Sequence, residues 1–335
     1  PTRTLFLVSS VSKAVTAWGI LKLVQDGKLG LDEPVVRYLR RWRFPGSVAH
    51  RDEVTARHLL SHTAGFVDGY GHGGFLPGEP RQTLEESLDR PADANVGQPH
   101  PAIVVNQPGT VMAYSSAGYA VLQLLVEERT GKAFNDYMTE AVLRPLGMTQ
   151  SGYELDALVA EGRESDLAPN YDLNLTPHPH RRYTNLAGVS LRATAHDLAR
   201  LVVAYSRQNP VLTPESLKQL AAPQPGTSRS WGLGHTLYGK TNAGNYVVGH
   251  GGGGFPASGA EMRVNPATGN GIVLLATGTQ GLISDIADVW TYWETGQKPF
   301  DFRNVVRRRG SHAIAVVIVG VVGIVLWRNG KRWKA

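Results

Sequence analysis

The chain contains no cysteine. That excludes disulfides, thiolate nucleophiles and sulfur-ligated metals, and it fits either redox compartment. A zinc-protease helix is missing as well: His58 and His62 lie four apart, but position 59 is Leu where the H-E-x-x-H pattern needs its glutamate base. Both histidines therefore read as structural, and neither a metal nor a cofactor is implied. Residues 1–302 lack a charge bias. Of the 34 basic residues, Arg303, Arg307, Arg308, Arg309, Arg328, Lys331, Arg332 and Lys334 follow Phe302 with no acid among them, which leaves 26 basic against 28 acidic residues before that point. The overall charge of +6 thus belongs to a tail, and the body shows no nucleic-acid footprint. A long uninterrupted apolar run is absent until Ala313. What remains is 335 residues, 42% of them hydrophobic, enough to bury one large core or two ordinary ones. Pro1 is not an initiator and no signal peptide is present, so preceding sequence is expected.

The chemistry begins early. Val11, Val15, Trp18, Ile20 or Leu21, and Val24 recur at helical spacing, and Asp26-Gly27 supplies a stop. This predicts a buried amphipathic helix that opens at Ser10. A serine there ordinarily caps the helix by accepting a backbone N–H. Lys13 changes the reading, because three residues on is one helical turn, which brings an ammonium group over the hydroxyl. A serine is a poor nucleophile until a neighbour takes its proton, and a lysine can do so when burial or adjacent cations lower its pKa. The positive end of the helix then favours the alkoxide.

Two more stretches carry candidate chemistry. Tyr114-Ser115-Ser116 follows the turn Pro108-Gly109 and leads into a helical run from Ala120 to Thr130, which delivers Tyr114 and Ser116 to a helix mouth. Tyr114 is either a half-buried packing residue or, with Lys13 nearby as its cation, a proton shuttle. From Asn245 the period changes to two. Tyr246 to His250, Ala260 to Val264 and Gly271 to Thr277 read as an antiparallel meander, the first strand running into Gly251-Gly252-Gly253-Gly254. Those glycines either form a flexible loop or let a backbone N–H approach an oxyanion. Ile283 to Trp293 reads as a closing helix with Ile283, Ile286, Val289, Trp290 and Trp293 on its apolar side. The glycine-rich stretch 67–82 and the loop around His178-Pro179-His180 either border a site or are plain surface loops, and His196 is expected to be a solvated helix residue.

Taken together, Ser10-Val11-Ser12-Lys13, Tyr114-Ser115-Ser116 and His250-Gly251-Gly252 resemble, in order and spacing, the S-x-x-K, Y-x-N and K-T-G or H-x-G motifs of the serine β-lactamase-like and penicillin-binding-protein superfamily, in its class C and esterase or D-aminopeptidase branch. His58 to Gly65 and Arg144-Pro145-Leu146-Gly147-Met148 are also typical of it, and the resemblance runs from about Thr4 to Trp293. It implies an α+β fold in two parts, an antiparallel sheet flanked by helices with a mainly helical region inserted, and a site between the two. It implies that Ser10 is acylated, that Lys13 and Tyr114 share its proton, that the N–H groups of Ser10 and Gly253 form the oxyanion hole, and that Gly252 lines it. In this family the opening strands precede the nucleophile, so the sheet is expected to be incomplete. Two positions depart. Ser116 stands where the family usually has Asn, and His250 replaces the lysine that would meet a substrate carboxylate. An ordinary histidine is mostly neutral at pH 7 and charges below about pH 6.5, which tilts the reading from an efficient β-lactamase towards an esterase. The expected function is a serine hydrolase acting on a small-molecule, peptide or ester substrate. A D-amino-acid-specific peptidase or weak β-lactamase, and a binding protein that turns over poorly, are the alternatives.

The tail reads separately. After a hydrolase domain over 1–300 and a basic linker over 301–312, Ala313 to Trp327 is a run of fifteen uncharged, nearly all apolar residues, followed by a basic tail over 328–335. As a helix it spans roughly 22 Å against ~30 Å of hydrocarbon, with Trp327 and flanking arginines able to sit at the interfaces. A transmembrane anchor is expected, with a buried or surface helix as the alternative. Four basic residues on either side give no orientation, and only the resemblance places the catalytic domain outside the cytoplasm. Oligomeric state has no signature.

Overall fold

Helix α1 (Val11–Gln25) is the axis of the molecule. The computed structural model describes residues 3–297 apart from 46–48, 67–72, 95–101, 208, 229 and 280. Helix α1 is buried almost all round, Lys13 and Thr16 included, where its sequence period suggests a single apolar face. The polar positions explain the difference, because each has a partner inside the protein. Thr16 Oγ1 donates to Ala187 O at 2.9 Å, and Trp18 Nε1 donates to Tyr205 Oη at 3.1 Å. At Gly19 the backbone carbonyl accepts from Tyr137 Oη at 2.8 Å, and an added Cβ would fall 2.4 Å from Met138 Sδ. The helix ends at Gly27, whose φ of +67° supplies the left-handed exit expected of it.

Around α1 lie mostly short helices. On the N-terminal side come α2 (Ala56–Leu60), α3 (Leu84–Asp89), α4 (Ala117–Thr130), α5 (Phe134–Met138), α6 (Leu155–Ala160) and the single turn α7 (Leu186–Val189). Helices α8 (Ala195–Ala204) and α9 (Pro214–Leu220) follow, capped by Thr194 and Thr213 side chains that accept from Asp197 N and Ser216 N, with Pro214 in the first turn of α9. Helix α10 (Leu282–Thr295) closes the described chain, with Ile283 and Trp290 buried but Trp293 44% exposed. That residue lies outside the stripe its spacing assigned it to.

Two small strand pairings and one sheet complete the architecture. Strands β1 (Phe6–Leu7) and β4 (Arg192–Ala193) pair antiparallel, as do β2 (Asn170–Tyr171) and β3 (Pro177–His178). The sheet has the order β5 (Thr236–Lys240), β6 (Tyr246–Gly254), β7 (Ser258–Val264) and β8 (Gly271–Thr277), all antiparallel. Register assigns the faces, since directly opposed residues point the same way. Gly251 opposes Glu261, and Gly249 opposes Arg263. This is the α10 face, where Arg263 binds Glu261, Asp288 at 2.7 Å and Thr291 at 2.9 Å. Val248, His250 and Gly252 oppose Val264, Met262 and Ala260. They therefore face the main core and α1.

The sheet departs from expectation at both ends of its first hairpin. Strand β5 has no clear period in Thr236-Leu237-Tyr238-Gly239-Lys240, and its register shifts between Leu237 and Gly239. At the other end, Gly251 to Gly254 continue β6 as paired strand and are not a loop. Pairing with β7 overrides the low strand preference of glycine. Among the described residues no helix is long and apolar enough to cross a membrane, and residues 313–327 lie outside them.

Candidate active site

Ser10 sits at the N-terminus of α1 with φ −65° and ψ −11°, already helical, and its side chain makes no capping hydrogen bond. The capping role that an isolated serine would take is not realised. Instead Lys13 Nζ donates to Ser10 Oγ at 3.3 Å and to Gly188 O at 2.8 Å. Lys13 is fully buried, and a charged or polar amine in such a place is retained against a large desolvation penalty. The neighbouring serines are committed elsewhere: Ser12 Oγ donates to Ser9 O and accepts from Leu191 N at 3.0 Å, while Ser9 Oγ lies 3.3 Å from Ser258 Oγ.

Tyr114 reaches the same cluster from the turn before α4. Lys13 Nζ lies 5.0 Å from the Tyr114 ring centroid and 5.4 Å from that of Tyr119, within the range of cation–π attraction. Tyr114 is 37% exposed, whereas Ser116 is buried at the N-terminus of α4 and makes no side-chain cap bond there. Ser116 O accepts from Asn185 Nδ2 at 2.9 Å, and Asn185 Oδ1 accepts from Gly188 N at 2.9 Å. Asn185 thereby ties the Tyr114 turn to the residue whose carbonyl holds Lys13. The one-turn helix α7 carries too little periodicity to announce this from sequence.

The third motif arrives on β6. Gly252 presses against the turn before α1, where an added Cβ would lie 2.2 Å from Val8 O and 3.1 Å from Ser10 N. Only glycine fits that approach. Gly253 opposes Gly259 at the end of the hairpin. His250 is buried, its Nδ1–H donates to Gly251 O, and its ring lies 5.3 Å from Trp231 and 6.3 Å from Tyr114. Burial, reinforced by the Lys13 charge, pulls the His250 pKa down to about 3. This corrects the expectation of a histidine that charges below pH 6.5: the imidazole stays neutral through the whole working range.

His62, read as structural, stands inside the cluster. It lies 4.2 Å from the Tyr114 ring, 5.3 Å from Tyr119 and 5.0 Å from Trp231. Burial first, then the charge on Lys13, holds its pKa well below the ordinary value. Trp231, whose Nε1 donates to Leu60 O at 3.3 Å, carries no sequence signal of its own. His58 by contrast caps α2: its Nδ1 accepts from Thr55 N. No group of three metal-ligating side chains forms among the described residues. At the rim, His178 of the β2–β3 hairpin meets Phe255 at the tip of β6–β7, ring centroids 4.9 Å apart. The second of those two loops therefore reaches the sheet end, while 67–72 of the first lies outside the described residues.

A family model described as Beta-lactamase matches residues 1–297. The chain belongs to the beta-lactamase family. Penicillin-binding protein 4 of Amycolatopsis lactamdurans is 29% identical over 306 residues, covering 83% of this chain and 73% of that protein. Esterase EstB of Burkholderia gladioli is 29% identical over 265 residues, covering 69% of this chain and 66% of that protein. Among solved structures, the octameric penicillin-binding protein homologue from Pyrococcus abyssi superposes with a TM-score of 0.70 at 23% identity, covering 92% of this chain and 70% of that one. As expected of a beta-lactamase fold, the described chain joins helices to an antiparallel sheet, and Ser10, Lys13, Tyr114 and His250 converge where α1, α4 and β6 meet.

Proposed function

We propose that this chain, a serine hydrolase of the beta-lactamase family, cleaves esters or amides through an acyl-enzyme on Ser10. The observation that carries the reading is the Lys13 Nζ to Ser10 Oγ contact of 3.3 Å, made by a serine that does not cap its own helix. In its deprotonated form Lys13 accepts the hydroxyl proton as Ser10 Oγ bonds to the acyl carbon, and hands it on to Tyr114. Tyr114, beside Lys13, passes a proton to the leaving group as the carbon–leaving-group bond breaks, and water then releases the acid by the reverse route. The N–H groups of Ser10 and Gly253 hold the oxyanion, with Gly252 keeping β6 close to Ser10 and the α1 dipole adding its positive end. Ser116 offers one hydroxyl to substrate where an amide would offer more hydrogen bonds.

His250 sets the substrate class. A neutral imidazole in place of a fixed cation favours uncharged esters over substrates bearing a carboxylate. Similarity to an esterase and to a penicillin-binding protein makes that the discriminating comparison. His250→Lys is expected to raise kcat/KM for a cephalosporin relative to a neutral aryl ester by about ten- to a hundred-fold, the worth of one charge-assisted hydrogen bond. Because burial holds His250 near a pKa of about 3, the same ratio in the natural protein stays flat between pH 7 and pH 5. The unfolded chain takes up a proton near pH 6.5 that the folded histidine refuses, so acid lowers stability instead of charging the site. A ratio that climbs on acidification, or one that His250→Lys leaves alone, contradicts this role.

The anchor belongs to the same proposal. We propose that the apolar run from Ala313 to Trp327 anchors the enzyme in a membrane, and the family resemblance alone supports a catalytic domain outside the cytoplasm. Ending the chain at Phe302 is expected to move the protein from the membrane to the soluble fraction with its activity kept. A full-length chain that is soluble without detergent contradicts the anchor.

A further inference from the structure

His62 closes a bracket around Tyr114. Its carbonyl accepts from Ala113 N at 2.8 Å, and its Nδ1 accepts from Ser115 N at 3.1 Å. The residues on both sides of the tyrosine are thus held by one histidine, whose ring also backs the phenol at 4.2 Å and 32°. A backbone φ of +58° lets the carbonyl and the side chain of His62 reach the same stretch of chain, a conformation that a non-glycine residue adopts only when its surroundings require it. We propose that His62 is the positioning residue of Tyr114, fixing the phenol against Lys13 by clasping residues 113 and 115 and stacking on the ring.

The hydrogen bonding supports more than packing. Because Nδ1 accepts, the ring proton sits on Nε2, and that N–H is buried without a hydrogen-bond partner among the described residues. An unpaired buried donor is unfavourable. His235, a buried histidine of the core, uses both nitrogens, one with Tyr205 Oη and one with Leu233 O. The ring of His62 is instead placed to serve Nδ1 and the stack. Protonation would remove the acceptor and turn the ring against Ser115 N–H, and it is opposed by burial and by Lys13.

The inference rests on Tyr114 carrying a proton, and a double-mutant cycle separates the two. Acylation by a neutral aryl ester is measured for the natural protein, His62→Phe, Tyr114→Phe and the double variant, with melting temperature alongside. His62→Phe keeps a ring and loses the acceptor. It is expected to lower kcat about 10- to 100-fold with KM little changed, yet to add less than about two-fold once Tyr114 is already Phe. His62→Asn, which presents an oxygen where Nδ1 stood and tolerates a left-handed backbone, is expected to restore most of the rate. If phenylalanine is not accommodated, His62→Ala runs the same cycle without adding bulk. Equal losses in both backgrounds, with Tyr114→Phe itself impaired, overturn the positioning role alone. A Tyr114→Phe variant as fast as the natural protein overturns the proton role of Tyr114 and this inference with it.

Discussion

Ser10→Ala lowers kcat/KM for a p-nitrophenyl ester by about 10⁴-fold or more, the scale at which hydrolases lose rate when the nucleophile itself is removed. The melting temperature is expected to stay in place. Ser10 Oγ does not cap α1, so its removal opens no helix end and takes away a hydrogen bond from Lys13 of 3.3 Å. The neighbours serve as internal controls. Ser12→Ala strips a buried hydroxyl that accepts from Leu191 N at 3.0 Å, so it is expected to act on stability first, by about 1–3 kcal/mol, the range for stranding a buried donor. Ser9 is tied to Ser258. A chain in which Ser9 or Ser12, and not Ser10, proved indispensable would move the nucleophile to a neighbouring position of the same turn.

Lys13→Met is expected to split activity from stability. Methionine fills a similar volume but cannot take a proton, and loss of a positioned general base typically removes about 10²- to 10⁴-fold in rate. The stability should not fall in step. Lys13 is fully buried among Gly188 O, Ser10 and the rings of Tyr114 and Tyr119. Replacing a desolvated polar group with an apolar one of like shape is often neutral or stabilising. A variant that is slower by about three orders of magnitude and melts no lower is the expected pattern, read from steady-state kinetics and thermal unfolding together. A variant that unfolds while retaining the acylation rate would make Lys13 a structural residue.

The parts of the site legible in the sequence are those built on regular elements. Ser10 and Lys13 share one face of one helix, Tyr114 stands at the mouth of another, and His250 lies in a period-two strand, so local spacing is enough to place each on its element. The meander is legible for the same reason, β7 and β8 being strand-like runs with an Asn-Pro turn between them. What is not legible depends on contacts distant in sequence. Asn185 and Gly188 sit at a single helical turn, and their role is visible only when Lys13 Nζ and Ser116 O meet them. His62 reads as structural because its chemistry is directed at residues 113 and 115, some fifty positions on. The ordinary pKa of histidine misleads at His250, since the burial that depresses it comes from α1, Trp231 and the Tyr114 turn packing over it. The glycines of β6 read by composition as either a flexible loop or a close backbone approach, and the register with β7 makes them paired strand.

The central claim is that Ser10 forms the acyl-enzyme, and covalent trapping tests it most directly. The full chain is treated with a fluorophosphonate probe, digested, and mapped by mass spectrometry, in parallel with Ser10→Ala and Lys13→Met. The account predicts a single adduct on the peptide containing Ser10, absent from Ser10→Ala and formed far more slowly in Lys13→Met. An adduct on Ser9, Ser12 or Ser116, or labelling that persists in Ser10→Ala, would contradict it.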